Sequence, residues 1–524
     1  MSTTYAKSTY LFGRGLGLTL LVAFASWHAQ QAGLIGARGI TPAAELLDAL
    51  RANGLGFADA PTLAWWTGAS DGALGALCLT GELAALLLLL GVLPGPSALA
   101  CGALYLSLHT IGGPFMAFQW DLLLIEASAL GALVLPWRAF HSPRRAIEPP
   151  AFARWAIYAL AFRLMFLSGA VKLASGDDAW ARLRALDYHY FTQPLPGPLS
   201  WPAHQLPAWA HTASTALVFA VELVLPFAIV LALLATAARV ALRRAPLPDD
   251  AADAPPPEPR GVRFAGALAR GSLRAAGLGF VGLMLVIALT GNYGFFTLLP
   301  LVIALPLFDD AFVERALPAR LGARLARAPR AMWVGHRVVR LAQCSLLLFV
   351  YWLGGLSLAT GLGAGPSLPD ALLDDLAAAR PYRVANGYGL FAVMTRLRRE
   401  IRVEGTLDGV EWREYRFAHK PGDPAALPGQ SAPHMPRLDW QMWFAALGSY
   451  RQSPWLHRFL SRLLEAEPSV LALLADDPFD GRAPRCVRAR LWDYRFGDVA
   501  HRAERSAYWV VEELGDFSPA RCRR

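Results

Sequence analysis

Six ionisable residues lie in or at the ends of long apolar stretches of this sequence, and they are the first candidates for chemistry. They are Glu82, Asp121, Glu126, Arg163, Lys172 and Glu222. A charged side chain at the centre of a membrane-spanning helix costs at least ~2.5–3.5 kcal/mol, so such groups usually face the interior of a helix bundle and mark a function. The pattern fits two interpretations, a set of interhelical ion pairs that orient a bundle and an active site within it.

A second group of candidates lies in the loops between the apolar stretches. It consists of Asp187, Tyr188, His189, Tyr190, Asn292 and Tyr293. A carboxylate, an imidazole and two phenols in one short run suit recognition as well as acid–base chemistry. The histidines lack the close spacing that is typical of metal ligands, and no nucleophile elbow, Walker loop or dinucleotide fingerprint is present. We therefore expect neither a metal site nor a cofactor.

The composition of the chain is that of a membrane protein. Of its 524 residues, 55% are hydrophobic and 17% are charged, whereas a typical soluble domain is about 25% charged. A bilayer core requires ~20 apolar residues of helix. Nine segments fit this pattern, of which the third and eighth are short: Tyr10–His28, Ala73–Leu93, Ser97–Ile111, Trp120–Trp137, Phe152–Ala174, Thr212–Leu242, Leu273–Thr290, Tyr293–Phe308 and Val338–Leu362. The sequence thus predicts about nine membrane-spanning helices.

The distribution of arginine predicts how these spans are oriented. Three arginine-rich loops fall on one side in a nine-span arrangement. They contain Arg138, Arg144, Arg145 and Arg154; Arg243, Arg244, Arg260, Arg263 and Arg270; and Arg315, Arg320, Arg324, Arg327, Arg330 and Arg337. Positively charged loops remain in the cytoplasm, so we expect the N-terminus there and the C-terminal domain outside. The loop segment Ala245–Pro259 (APLPDDAADAPPPEP) has low complexity, and we expect it to be disordered.

This topology sets the depth of the charged residues. Asp121 and Lys172 lie at the outer rim, at the ends of consecutive antiparallel spans. Glu82, Arg163 and Glu222 each lie ~9–10 residues further in, or ~13–15 Å at the rise of an α-helix. Because the depths match and the signs are opposite, we expect Asp121 and Lys172 to interact.

The chain divides into a multi-pass domain, 1–365, and a soluble domain, 380–524. In the soluble domain, Ile401 and Val403 alternate with polar residues before a turn at Asp408-Gly409, which predicts a β-hairpin. The other expected elements are a proline-rich loop at Pro421–Pro436, helices at Leu438–Tyr450 and Pro454–Leu474, and strands at Cys486–Phe496 and Tyr508–Leu514. This order is typical of a small α+β or β-sandwich-like domain.

Two further features of the soluble domain are open to interpretation. Trp440, Trp443 and Phe444 fall on one face of the first expected helix, and there we favour a domain core over a partner surface. Cys486 and Cys522 can pair if the domain faces an oxidising compartment.

The formal net charge of +9 does not indicate nucleic-acid binding. The arginines lie between the hydrophobic runs and form no known nucleic-acid-binding motif. Lysine occurs only at Lys7, Lys172 and Lys420, while arginine and alanine are abundant. This usage is typical of a GC-rich genome, so we expect a bacterial protein of the inner membrane, with the lipid bilayer as a partner.

The sequence resembles the lipase maturation factor family along almost its whole length. Eight stretches in the right order carry the resemblance: Leu11–Gly17 (LFGRGLG), Gly33–Ile40 (GLIGARGI), Gln119–Glu126 (QWDLLLIE), Arg163–Lys172 (RLMFLSGAVK), Ala185–Pro196 (ALDYHYFTQPLP), Thr290–Phe295 (TGNYGF), Asn386–Thr395 (NGYGLFAVMT) and Pro433–Ala446 (PHMPRLDWQMWFAA). The last two stretches supply candidate motif residues of the soluble domain: Asn386, His434, Arg437, Asp439, Trp440 and Trp443.

The resemblance implies a folding factor. Animal members of that family are endoplasmic reticulum membrane proteins that help secreted lipases fold and assemble into dimers, with the soluble domain in the lumen. The resemblance also implies that the partner is an exported lipase or another secreted protein. It favours a chaperone over an enzyme.

A second, local resemblance supports an alternative. The run Phe166–Leu173 (FLSGAVKL), followed by Asp178 and Trp180, resembles the transmembrane domain of vitamin-K-dependent carboxylase-like proteins. There the lysine after the small residues is a catalytic base, and Lys172 takes that position. This resemblance implies a membrane enzyme acting on a lipid or quinone-like substrate. A transporter is the third hypothesis, although no inverted repeat is visible.

Overall fold

The computed structural model describes residues 4–143, 146–243, 258–318, 331–332 and 337–523. Of the segment Ala245–Pro259, which the sequence predicts to be disordered, all but the last two residues lie outside these ranges.

The membrane domain consists of helices joined by short connections and helical loops. Its α-helices are Ala6–His28, Gln31–Ile35, Ala43–Ala52, Ala64–Thr67, Asp71–Leu90, Pro94–Ile111, Gln119–Val134, Ala151–Ala174, Asp178–Ala181, Leu186–Thr192, Ser200–His204, Ala208–Phe219, Phe227–Arg243, Arg260–Thr290, Leu298–Ala304, Asp310–Ala316, Arg337–Gly361 and Asp370–Ala379. A π-helical turn at Ala220–Val224 connects two of them into one long helix.

Within the described ranges, six helices are long and apolar enough to cross a membrane. They are Ala6–His28, Asp71–Leu90, Ala151–Ala174, Ala208–Arg243, Arg260–Thr290 and Arg340–Gly361. The other three expected spans correspond to shorter or less apolar helices. For example, Gln119–Val134 has 16 residues, or ~24 Å of helix, against a hydrocarbon core of ~30 Å. The predicted membrane class is therefore confirmed, and the count of nine spans is not.

The two ends of the bundle differ in what they hold together. At one end, the N-terminus meets a later connection of the chain, where the Asp310 amide donates to the Thr4 carbonyl at 2.9 Å. Two further connections meet where the Leu93 amide donates to the Ala139 carbonyl at 3.0 Å. The opposite end carries the C-terminal domain. The bundle therefore has two different ends, and the C-terminal domain covers one of them.

The strands form two sheets. A short parallel pair joins β1 (Ile147–Glu148) to β2 (Ala331–Met332). The C-terminal domain contains an antiparallel sheet with the order β4-β3-β5-β6. Its strands are β3 (Arg398–Thr406), β4 (Arg413–Tyr415), β5 (Cys486–Phe496) and β6 (Trp509–Cys522), and its α-helices are Arg437–Ala446, Pro454–Leu464, Pro468–Leu471 and Val499–Arg505.

The expectations for this domain are largely confirmed. The hairpin forms around Asp408-Gly409, with Val403 opposite Tyr415, and β5 has the expected bounds. The second expected helix ends early at Leu464 and a new turn of helix begins at Pro468, because proline has no amide proton to continue a helix. The described residues form the α+β version of the predicted fold, and a disulfide joins Cys486 to Cys522.

Both faces of this sheet are covered, each by a different part of the chain. Ile401 and Val403 of β3 are fully buried in the core that the domain's own helices complete. Tyr494 and Trp509 point to the other face, where they pack with the Leu186–Thr192 helix of the membrane domain. Side chains alternate between the two faces of a strand, so the sheet itself connects the C-terminal domain to a loop helix of the membrane domain.

Candidate functional site

Arg437 of the C-terminal domain reaches into the helix bundle and pairs with Asp121. Its two terminal nitrogens lie 2.7 Å from the two carboxylate oxygens of Asp121, and Tyr105 donates to the same carboxylate at 2.7 Å. Both charged residues are almost completely buried. Burial opposes the charged form of Arg437, but Asp121 and then Tyr105 outweigh it and raise the pKa of the guanidinium above its ordinary value. The sequence-based pairing of Asp121 with Lys172 is therefore wrong.

Glu126 is a second anchor for the C-terminal domain. One of its oxygens accepts hydrogen bonds from the Asn386 amide at 3.1 Å, from the Asn386 side chain at 3.0 Å and from the Tyr388 hydroxyl at 2.6 Å. The other oxygen pairs with Arg163. Burial raises the pKa of Tyr388 to about 12, so the phenol remains a donor. Helix Gln119–Val134 thus offers the two carboxylates of Asp121 and Glu126, and the C-terminal domain binds both.

Lys172 pairs with Glu222 on a neighbouring helix. Its ammonium nitrogen lies 2.8 and 2.7 Å from the two carboxylate oxygens and 3.1 Å from the Ser168 carbonyl. Glu222 belongs to the π-helical turn Ala220–Val224, a geometry often found at functional sites. Gly169 permits the approach, because a Cβ there would lie 2.7 Å from Leu223. Two predicted candidates therefore form one buried ion pair.

The Lys172–Glu222 pair lines a largely apolar cavity of about 120 Å³ between the helices and the loops at the end that carries the C-terminal domain. The wall includes Gln119, Leu164, Met165, Ser168, Lys172, Trp180, Leu186, His189, Tyr190, Val218, Glu222, Leu283, Met284, Val286, Ile287, Thr290, Tyr293, Phe296, Pro300, Leu390 and Phe391. Five of the eight family-like stretches contribute to this wall. This convergence makes the cavity the candidate functional site.

Some of the loop candidates line this cavity, and others contact the rest of the chain outside it. His189 and Tyr293 line the cavity, with 3.4 Å between the imidazole Nε2 and the phenol oxygen. Burial, and then the charge of Lys172, lower the pKa of His189 to about 4, so the imidazole is neutral at physiological pH. Tyr190 also lines the wall. The site therefore combines a balanced ion pair with uncharged polar groups.

The other outer-loop residues hold structure together. Asp187 accepts a hydrogen bond from Arg184 at 2.8 Å and lies 3.1 Å from His211. Tyr188 packs against two hydrophobic clusters. Asn292 donates to the Gly429 carbonyl at 2.8 Å and accepts from the Ser431 amide at 2.8 Å. Asn292 thus attaches the proline-rich loop of the C-terminal domain to the bundle.

Glu82 lies apart from the other charged candidates. It pairs with His28, with 2.8 Å between Oε1 and Nδ1, and does not line the cavity. The cluster of matched depth that the sequence suggests is therefore divided in the structure. Its acidic members pair separately with His28, Arg437, Arg163 and Lys172.

The remaining motif residues of the C-terminal domain are structural. His434 lies 3.0 Å from the Ser26 hydroxyl, and burial lowers the pKa of its imidazole to about 4. Asp439 accepts hydrogen bonds from the backbone amides of His419 and Lys420 in the preceding loop, both at 2.9 Å. Trp440 is buried, and Trp443 donates to the Thr192 carbonyl at 2.8 Å. Trp440 packs on Trp120 and Phe118 of the membrane domain, so the two tryptophans lie at the contact between the domains. The expectation of a core within the C-terminal domain alone is therefore not confirmed, and Phe444 remains half exposed.

Gln119 was not among the candidates. Its Oε1 accepts the Gly389 amide at 2.9 Å, while its Nε2 is buried without a partner at the cavity wall. The available signal was its position as the first residue of the family-like stretch QWDLLLIE. No cluster of His, Cys, Asp or Glu suited to a metal ion occurs among the residues that the structure describes.

The fold and these contacts define a class of protein: a polytopic helical membrane protein whose C-terminal α+β domain is docked on one end of the bundle through buried charges. Comparison with known proteins then identifies the family. The family models for the lipase maturation factor transmembrane domain and the lipase maturation factor C-terminal domain match residues 7–243 and 384–519. The chain belongs to the lipase maturation factor family.

Individual relatives match along nearly the whole chain. Lipase maturation factor 2 from Gallus gallus is 31% identical over 97% of this chain and 80% of its own length. Lipase maturation factor 2 from Homo sapiens is 31% identical, with 97% and 82% covered. Lipase maturation factor 1 from Bos taurus is 30% identical, with 98% and 88% covered. No solved structure matches the chain.

Proposed function

We propose that this protein assists the folding or assembly of an exported lipase or another secreted protein. The observation that carries the proposal is the similarity to lipase maturation factors, which extends over 97% of the chain and includes both domains. The role does not depend on a catalytic residue. A folding factor requires a stable surface on the side where its client emerges.

The way the C-terminal domain is docked supports this role. Arg437 and Asn386 join it to helix Gln119–Val134. Asn292 joins it to the connection that follows helix Arg260–Thr290. Truncating one member of a buried pair of this kind costs ~3–5 kcal/mol, so the domain is held in one orientation. It therefore forms a rigid outer surface on the membrane domain.

We place the protein in a bacterial inner membrane with the C-terminal domain outside the cytoplasm. The arginine-rich loops support this orientation. The disulfide between Cys486 and Cys522 supports it as well, since such bonds persist in oxidising compartments.

The test is deletion of the gene in its native host. We expect the enzymatic activity of secreted lipase per amount of secreted lipase protein to fall, while transcription of the lipase gene is unchanged. The wild-type gene restores the activity. Unchanged specific activity of all secreted hydrolases in the deletion strain would contradict the proposal.

A second candidate function is a membrane enzyme with Lys172 as its base. The position of Lys172 on the wall of an apolar cavity favours it. The hydrogen bonds of Lys172 oppose it, because the ammonium donates to Ser168 and to both oxygens of Glu222. A base must reach the proton that it abstracts, whereas the nitrogen of Lys172 is already occupied by these three acceptors.

A further inference from the structure

The candidate cavity faces the lipid on one side. Val286 of helix Arg260–Thr290 lines the cavity and is 56% exposed on the outside of the bundle. Val218 of helix Ala208–Phe219 lines it from the other side and is half-buried. Both helices are candidate membrane spans, so in a bilayer this opening would face the lipid. A molecule that enters here comes from the bilayer.

The charged groups inside the cavity are already neutralised. Lys172 and Glu222 pair with each other, and the ammonium also donates to the Ser168 carbonyl. The neighbouring imidazole of His189 is uncharged, since burial lowers its pKa to about 4. An anionic headgroup would meet the carboxylate of Glu222, and a cationic one would meet the ammonium of Lys172. An uncharged occupant avoids both conflicts.

Among the described residues of the wall, the buried amide nitrogen of Gln119 has no hydrogen-bond acceptor. The Oε1 of Gln119 is fixed by the Gly389 amide at 2.9 Å. That contact fixes the direction in which the amide nitrogen points. A buried donor without a partner costs ~1–3 kcal/mol, and an oxygen acceptor on a ligand would recover that energy.

We propose that this cavity binds one chain of an uncharged lipid that enters from the bilayer, with an ester or hydroxyl oxygen of the lipid accepting a hydrogen bond from Gln119. Leu283 and Met284 contact the first carbons of the chain, and the remainder of the chain extends past Val286 into the membrane. The cavity volume of about 120 Å³ fits this arrangement, since it holds a polar group and a few methylene groups but no complete lipid. The site does not depend on the maturation role.

The mouth of the cavity provides the first test. The probe is the methyl ester of a palmitic acid with a photoreactive diazirine near its head, added to the full-length protein in lipid nanodiscs. Cross-linked residues are mapped by mass spectrometry. Val286→Trp fills the mouth, and Leu289→Trp is the matched control, because Leu289 is also 56% exposed on the same helix but does not line the cavity.

We expect the ester to label cavity residues in the wild type and in Leu289→Trp, and Val286→Trp to reduce this labelling at least about tenfold. Melting curves of the three proteins in the same nanodiscs establish equal folding. Equal labelling of the cavity in Val286→Trp and Leu289→Trp would overturn the proposal, since the probe would then report only the lipid-facing surface.

The polar end is tested with Gln119→Glu. This change keeps an oxygen for the Gly389 amide and removes the donor. One hydrogen bond is worth about a three- to tenfold change in binding, so we expect ester labelling to decrease by that factor. The free photoreactive palmitic acid, which is anionic, should label the wild type less than the ester does. Stronger labelling by the acid, or unchanged ester labelling in Gln119→Glu, would overturn the assignment of an uncharged acceptor.

Discussion

Arg437 and Asp121 form a buried, two-pronged ion pair across 316 residues of sequence, with both nitrogen–oxygen distances at 2.7 Å. The pair joins the C-terminal domain to the short helix Gln119–Val134 of the membrane domain. A guanidinium and a carboxylate in this geometry make two parallel charge-assisted hydrogen bonds, which fix orientation as well as distance. The contact therefore determines how the two domains are arranged.

The first prediction concerns this pair. Arg437→Met leaves the carboxylate of Asp121 buried and unpaired, so we expect a loss of ~3–5 kcal/mol of stability. The double variant Asp121→Asn with Arg437→Met should recover part of the loss. Thermal unfolding of the purified protein in detergent measures the effect.

A surface pair between the same two parts of the chain provides the control. Arg458 pairs with Glu45, and their side chains are 51% and 55% exposed. Arg458→Met should cost no more than ~1 kcal/mol. Equal melting temperatures of Arg437→Met and Arg458→Met would contradict the anchoring role of Arg437.

The second prediction distinguishes a structural from a catalytic Lys172. Arginine keeps a permanent cation opposite Glu222, so Lys172→Arg should retain most lipase maturation. Lys172→Met leaves the carboxylate unpaired and should destabilise the protein by ~3–5 kcal/mol. Lys172→Met combined with Glu222→Gln should recover stability. The measurements are the melting temperature and secreted lipase activity per amount of folded membrane protein. Because arginine does not lose its proton in proteins, well-folded Lys172→Arg protein without function would favour the enzyme.

The third prediction concerns orientation in the membrane. In a Cys344→Ser background, a cysteine at Val410, which is 82% exposed in the C-terminal domain, should react with an impermeant maleimide on spheroplasts. A cysteine at Phe140, which is 71% exposed at the other end of the bundle, should react only after the membrane is opened. The reverse pattern of labelling would invert the proposed topology.

The fourth prediction is a pH dependence of stability. The folded protein lowers the pKa of His189 from 6.5 to about 4. The unfolded chain therefore binds more protons than the folded chain in this window, and stability rises with pH there. The contribution of the neutral imidazole is present above pH 6.5 and is lost as the pH falls towards 4.

His189→Gln removes this titration. We expect the melting temperature of the wild type to fall more steeply than that of His189→Gln as the pH is lowered from about 7.5 to about 4.5. A constant difference between the two proteins over this range would show that His189 is protonated equally in both states.

The sequence predicted where helices and strands lie along the chain better than it predicted which residues contact each other. Hydrophobic runs located the helices, and the strand expected at Cys486–Phe496 is β5 with the observed bounds. Asp121 was expected to pair with the nearest opposite charge at equal depth. Its partner Arg437 lies in the other domain, and neither hydropathy nor arginine counts contain information about how two domains dock.

The candidate site was predicted only in part, because the sequence identified several of its residues but not which of them lie together. Lys172 and Glu222 were recognised because a charge in an apolar run is costly, and His189 because it stands beside a carboxylate and two phenols in one short run. Glu222 reaches the cavity from the π-helical turn at Ala220–Val224. A turn of this kind has no clear signature in one sequence, and Gln119 attracts attention only once its unpaired nitrogen is visible.

The membrane domain covers the second face of the β-sheet, so the chain cannot be cut between its two domains without exposing buried side chains. A fragment that begins near residue 380 would expose Tyr494 and Trp509, whose packing partners lie on the Leu186–Thr192 helix. The same fragment would carry Arg437 without its carboxylate. The C-terminal domain is therefore not a detachable module, and its solubility is a property of the whole chain. Attempts to express it alone, or to graft it on another membrane anchor, would need to supply a substitute for that helix.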